Sequence, residues 1–174
     1  MSFIGNFVSE FSRTEAQLRT LLEQISGLGQ KQFAVLIGFP RTSELITKLR
    51  KMTEFTPLPG EATYAVSECF KQLDHIIKLR DRLIHYGSHI NPLDHSIVVR
   101  QKGKPSPFIR DMAENSFTEE ELWGAASDLA FIRNTLTYHL NQRLPQDVRH
   151  LLLEVVRKRE PWLYTPPEQR PDPK

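Results

Sequence analysis

The sequence predicts an all-α protein, an up-and-down helical bundle with a small β-hairpin inserted between its last two long helices. Three observations predict it. Apolar residues recur in steps of three and four along three long segments, glycine and proline punctuate the intervals, and one short β-branched run interrupts the pattern. Helices with apolar stripes this wide must bury them against one another, and a bundle is the simplest arrangement that does so.

The first stripe runs Ile4, Val8, Phe11, Glu15, Leu18, Leu22, Ile25. A second register, Phe7, Phe11, Thr14, Leu18, Leu21, fits the same helix and turns Glu15 toward its edge. Gly27-Leu28-Gly29 should end it, because glycine tolerates the left-handed conformation of a helix stop. A short apolar stretch, 33–39, follows and ends at Pro40. Thr42 or Ser43 can then cap a helix carrying Leu45, Ile46, Leu49 and Met52. Pro57 to Gly60 is a loop, and residues 61–86 form the longest helical segment.

From Gly87 the character changes. Ser96-Ile97-Val98-Val99-Arg100 is strand-like, Lys102-Gly103-Lys104-Pro105 is a turn, and residues 107–112 are the returning strand of the expected hairpin, within an insert of about 90–112. Thr118 precedes Glu119, Glu120 and Glu121, a capping hydroxyl before an acidic first turn, and Leu122, Ala125, Leu129, Ile132, Leu136 and Leu140 continue the helical period. Residues 147–159 form a shorter helix. Five prolines among the last fifteen residues should then prevent regular structure, leaving a tail over 160–174 with Trp162 docked. The 174 residues thus divide into one helical domain, 1–159, and that tail.

Composition narrows the function. Hydrophobic residues at 39% and charged residues at 25% suit a globular chain and argue against a disordered one. No apolar run reaches the roughly 18 residues of a membrane span, and residues 1–10 lack the basic start of a secretory signal, so a cytoplasmic protein that does not enter a membrane is expected. Cys69 is the only cysteine, which excludes internal disulfides and cysteine zinc clusters. Phosphate-binding glycine loops, serine-nucleophile elbows and zinc-hydrolase histidine motifs are also missing from the sequence. Net charge is only +2, but residues 71–110 hold eight Lys/Arg against three Asp/Glu, so the basic character concentrates in the middle.

The longest helix carries the chemistry. Its apolar seam runs Val66, Phe70, Leu73, Ile77, then Ile84, and the position that completes the 4-3-4-3-4 steps is Arg80. A guanidinium in a seam must meet an acid, line a cleft or sit at a subunit boundary, because burying it unpaired is costly. Glu15, anomalous in the first helix, is one possible partner. Asp81 and His85 follow at i,i+4 spacing on one face, where a carboxylate can fix an imidazole tautomer and raise its basicity. As a bare pattern, the same pair also fits an exposed i,i+4 contact near a helix end.

Arg80-Asp81-Arg82-Leu83-Ile84-His85, an arginine, a polar residue, three variable residues and a histidine late in a long helix, resembles the motif of the HEPN family. At the level of helix order the resemblance runs from about residue 3 to 140. It implies a bundle in which the motif helices of two subunits face each other, forming one composite cleft in a homodimer. It implies a ribonuclease in which Arg80 steadies the scissile phosphate, His85 serves as general base or acid, and Asp81 orients it. The neighbouring 2′-hydroxyl attacks without a metal or other cofactor, which restricts the reaction to RNA. Glu15 and Tyr86 would support this site, Tyr86 lying directly after His85 where many active members carry a tyrosine one place later. Lys78, Arg82 and the insert residues Arg100, Lys102 and Lys104 become candidate contacts to RNA phosphates.

Family members of this kind include toxin-like and defence-related nucleases, which implies a restraining antitoxin or regulatory protein. Other HEPN domains keep the fold without cleaving, so the alternative is a non-catalytic module that binds a protein, nucleotide or RNA. A metal site from His85 and His89 has the spacing of helical zinc ligands, but Gly87 and Pro92 should end the helix first.

Overall fold

The first helix, α1 (Phe3–Ser26), stops where Gly27 takes a φ of 67°, a left-handed conformation open to glycine without strain. The computed structural model describes residues 3–85, 88–90, 97–99, 116–141, 143–157 and 162–170. Phe7, Phe11, Thr14, Leu18, Leu21 and Leu22 are the buried residues of α1. Of the two registers open to the sequence, the one beginning at Phe7 therefore carries the core, and Glu15 lies at its edge.

A short helix, α2 (Gln30–Leu36), buries only Phe33. It leads to α3 (Thr42–Glu54), whose N-cap is Arg41 rather than Thr42 or Ser43. The first turn is closed instead by Glu44, which accepts the Arg41 backbone N–H at 3.3 Å. That releases the Thr42 hydroxyl for a partner outside its own helix. Leu45, Ile46 and Leu49 turn into the core.

The longest helix, α4 (Gly60–His85), runs antiparallel to α3. Arg50 of α3 donates to Asp74 at 2.6 Å and to the Phe70 carbonyl at 3.0 Å, while the start of α3 lies beside Ile77 and Arg80. After α4 come three short strands, β1 (Ser88–Ile90), β2 (Ile97–Val99) and β3 (Ser116–Phe117), in one antiparallel sheet with β2 in the middle. Ile97 stands opposite both Ile90 and Phe117, and Ile97 and Phe117 are buried in the main core. Both edges of β2 are thus occupied by β1 and β3. The expected turn at 102–105 and return at 107–112 lie outside the described residues. His89 sits in β1, so the helical spacing considered for a zinc pair does not apply to it.

Thr118 caps α5 (Glu119–Leu140) as its sequence predicts: its hydroxyl accepts the Glu121 N–H at 3.2 Å and Glu121 returns a bond to the Thr118 N–H at 2.9 Å. α5 is the central helix. It packs against α1 most extensively and also against α4, and buries Leu122, Ala125, Leu129, Ile132 and Leu136 completely. Arg133 donates to Glu10 at 2.8 Å and Gln17 to Thr137 at 3.0 Å along the α1–α5 rim. The last helix, α6 (Gln146–Arg157), lies on α5 and has no fully buried residue. Its Arg149 donates to the Asn141 carbonyl at 3.0 Å, placing a cation at the negative end of α5.

Within the proline-rich end, the described residues 162–170 pack against the bundle, and the rest of the expected tail lies outside the described residues. Tyr164 is buried, Trp162 meets Phe131 edge-on with ring centroids 5.7 Å apart, and a 3-10 turn forms at Pro167–Gln169. The wholly buried Asp128 carboxylate accepts the backbone N–H groups of Leu163 and Tyr164 at 3.1 and 3.0 Å and the Gln72 amide at 2.8 Å. Gln72 also donates to the Tyr164 carbonyl at 2.9 Å. Gly124 makes the approach possible, since a side-chain carbon there would come within 3.1 Å of the Leu163 carbonyl oxygen. Arg170 pairs with Glu121 at 2.7 Å and completes the clamp. Prolines exclude a helix here, but they leave the carbonyls and the remaining N–H groups free to dock.

Candidate functional site

The apolar seam of α4 stays in the core for only half its length. Val66, Phe70 and Leu73 are buried as the spacing requires, but toward the C-terminal end the buried set becomes Ile76, Leu79 and Leu83. Ile77 and Arg80 are half-buried and Ile84 is exposed. Ile76, Leu79 and Leu83 each lie one residue, about 100° of helix rotation, before their counterparts in the seam, so the last turns of α4 bury a neighbouring face. Arg80 therefore stands on the shoulder of the seam. The side chain keeps contact with water, and the cost of burying a guanidinium is largely avoided.

Where the seam leaves the core, α1, α3 and α4 leave a cleft of about 490 Å³. Phe11 and Ile77 are its apolar lining, Glu15 comes from α1, Arg41, Thr42 and Ser43 from the start of α3, and Arg80 and Asp81 from α4. The Arg80 guanidinium lies 5.5 Å from the centre of the Phe11 ring, a cation–π arrangement, and donates from Nη1 to Asp81 Oδ1 at 2.9 Å. Ring and carboxylate hold it from two directions. Its Nε is buried with no acceptor among the described residues, while the side chain as a whole is 31% exposed and keeps further N–H donors toward the cleft.

Glu15 and Arg80 line the same cleft without pairing. Glu15 Oε1 accepts the Thr42 hydroxyl at 2.6 Å, and Arg80 takes Asp81 instead. The choice follows from reach and geometry: Thr42 sits at the first position of α3 with its hydroxyl unused by capping, directly over the α1 edge that carries Glu15. The arrangement sets two arginines against two carboxylates around a space large enough for a small polar ligand or part of a polymer. A guanidinium with spare donors beside carboxylates suits an anionic group on which protons are exchanged.

The structure therefore brings together three of the residues singled out in the sequence, Glu15, Arg80 and Asp81. His85 is the last residue of α4, one turn beyond Asp81. Its side chain lies outside the described residues, as do Tyr86, Arg100, Lys102 and Lys104. Lys78 is exposed on α4 and Arg82 is half-buried, and neither lines the cleft. Sequence spacing missed Arg41, Thr42 and Ser43. Their residue types give Thr42 and Ser43 a capping role, and no periodic signal marks Arg41, whose backbone N–H serves the helix start.

Among the described residues no three His, Cys, Asp or Glu side chains come close enough to hold a metal ion. No helix among them is long and apolar enough to cross a membrane. Comparison with protein-family models, with curated proteins and with solved structures returns no match.

Proposed function

We propose that this protein is a metal-independent endoribonuclease of HEPN type, working in the cytoplasm as a homodimer under the restraint of a regulatory protein. The observation that carries the proposal is Arg80: a guanidinium braced by Phe11 and Asp81 at the wall of a polar cleft, five residues before His85. Arginine suits the non-bridging oxygens of a phosphodiester because its planar fork matches their geometry. The charge it fixes stabilises the extra negative charge that develops on those oxygens as the 2′-oxygen attacks. His85 exchanges a proton with a reacting oxygen, and Asp81, on the same helix face, orients it. The nucleophile belongs to the RNA, so DNA is not cut.

The same part of α4 supports the homodimer. Ile77, Arg80 and Ile84 continue an apolar seam past the point where the bundle covers it, and a second copy would complete it. Lys78 and Arg82 then flank the cleft as contacts to RNA backbone outside the cleaved link.

The test is cleavage of a mixed-sequence RNA by the purified protein in excess chelator, with Arg80→Ala and His85→Ala beside wild type. Loss of cleavage in both variants, with helical content retained, is the expected result. Wild-type protein that binds RNA without cutting it would favour the binding module. Cleavage unaffected by both substitutions would place the site elsewhere.

A further inference from the structure

Cleaving RNA through its 2′-hydroxyl takes two proton transfers, one from the attacking 2′-oxygen and one to the departing 5′-oxygen. A single histidine performs one of them at a time. We infer that Glu15 is the second group, the general base that takes the proton from the 2′-hydroxyl, which makes His85 the acid. The inference rests on the ribonuclease reading of the cleft and adds to it a residue from a different helix.

Three observations support it. Glu15 lines the same cleft as Arg80 and Asp81, so a phosphate held by Arg80 would share that cleft with it. It forms no ion pair with either arginine of the cleft, which leaves its charge available to a proton. One carboxylate oxygen is fixed by the Thr42 hydroxyl at 2.6 Å, which sets the orientation of the group and leaves the other oxygen free of that bond. Asp81 is less suited, because the Arg80 guanidinium occupies Oδ1 at 2.9 Å and a proton added there would compete with that charge.

The Glu15 carboxylate removes the 2′-hydroxyl proton as the 2′-oxygen forms its bond to phosphorus. The bond from phosphorus to the 5′-oxygen breaks, and the leaving oxygen takes the proton of the His85 imidazolium. The products are a 2′,3′-cyclic phosphate and a 5′-hydroxyl, with Glu15 protonated and His85 neutral; exchange with water restores both. Thr42 is a positioning residue: it holds Glu15 and transfers no proton.

The test measures kcat and KM against pH on a short RNA with one cleavable ribose, alongside binding of the same strand carrying a 2′-deoxy sugar at that position. For Glu15→Gln we expect kcat to fall by about 10²- to 10⁴-fold, the usual contribution of a general base, with binding of the deoxy strand unchanged. Wild type should show a bell-shaped profile. Glu15→Gln should remove its acid limb and His85→Ala its alkaline limb. Glu15→Asp should recover part of the rate, and Thr42→Val should lower kcat less than Glu15→Gln does. An acid limb that persists in Glu15→Gln, or a rate within about twofold of wild type, would overturn the assignment while leaving the ribonuclease reading intact. Cleavage that ignores Arg80→Ala and His85→Ala as well would overturn both.

Discussion

The Asp128 carboxylate accepts the backbone N–H of Tyr164 at 3.0 Å, although 36 residues separate them and neither touches solvent to any extent. The same carboxylate takes the Leu163 N–H and the Gln72 amide, so one side chain joins α4, α5 and the C-terminal segment. Replacing Asp128 by alanine removes the acceptor from the buried Tyr164 N–H, from one N–H of the Gln72 amide and from the part-buried Leu163 N–H. We expect a loss of about 3–5 kcal/mol in urea unfolding, together with faster proteolysis within residues 158–170. Unfolding within about 0.5 kcal/mol of wild type would show that the clamp contributes nothing to stability.

His139 gives a pH signature. Burial lowers its pKa below 6.5, and the nearby Arg149 charge acts in the same direction. The unfolded chain therefore binds a proton more readily than the folded one between the folded value and 6.5, and stability must fall as pH drops through that window. It is fully present above 6.5. The urea midpoint of wild type should fall between pH 7.5 and 5.5 by more than that of His139→Gln. Parallel lines for the two proteins would remove His139 from the account.

Arg80→Lys separates charge from geometry. A lysine keeps the positive charge but loses the planar fork, the bracing against Phe11 and the buried Nε donor. Under the proposed mechanism it should cleave RNA no better than about one-hundredth as fast as wild type, a loss comparable to removing an oxyanion donor. A lysine variant with near wild-type kcat would mean that Arg80 supplies only a diffuse attraction.

Ile84→Glu tests the second copy. Ile84 is 47% exposed at the end of the uncovered seam, so a carboxylate there costs the monomer little. Light scattering should report a dimer for wild type at micromolar concentration and a 20.2 kDa species for the variant. Wild-type protein of monomer mass would end the composite-cleft proposal.

Much of the helical plan was legible because it rests on local rules. Gly27 ends α1 where its sequence places the stop, and Thr118 and Glu121 form the reciprocal cap their spacing implies. The misread positions depend on what lies opposite. Arg80 sits in a seam by spacing, but its exposure is set by where α1 and α3 stop covering α4. Thr42 has the chemistry of a cap, yet its hydroxyl goes to Glu15 because Glu44 already serves the helix start. The C-terminal segment was the least legible. Prolines announce an absence of helix, and nothing local announces that Asp128, in the middle of a helix, is waiting for two peptide N–H groups.

That clamp also fixes an order of events in time. Gln72 and Tyr164, which bond directly, lie 92 residues apart. Synthesis delivers the N-terminal partner first, so each nascent chain passes through a stage in which α4 and α5 have emerged but Asp128 and Gln72 have nothing to hold. The newly made bundle therefore spends an interval with a charged, unsatisfied pocket in its flank, and it reaches its final stability only when Tyr164 arrives.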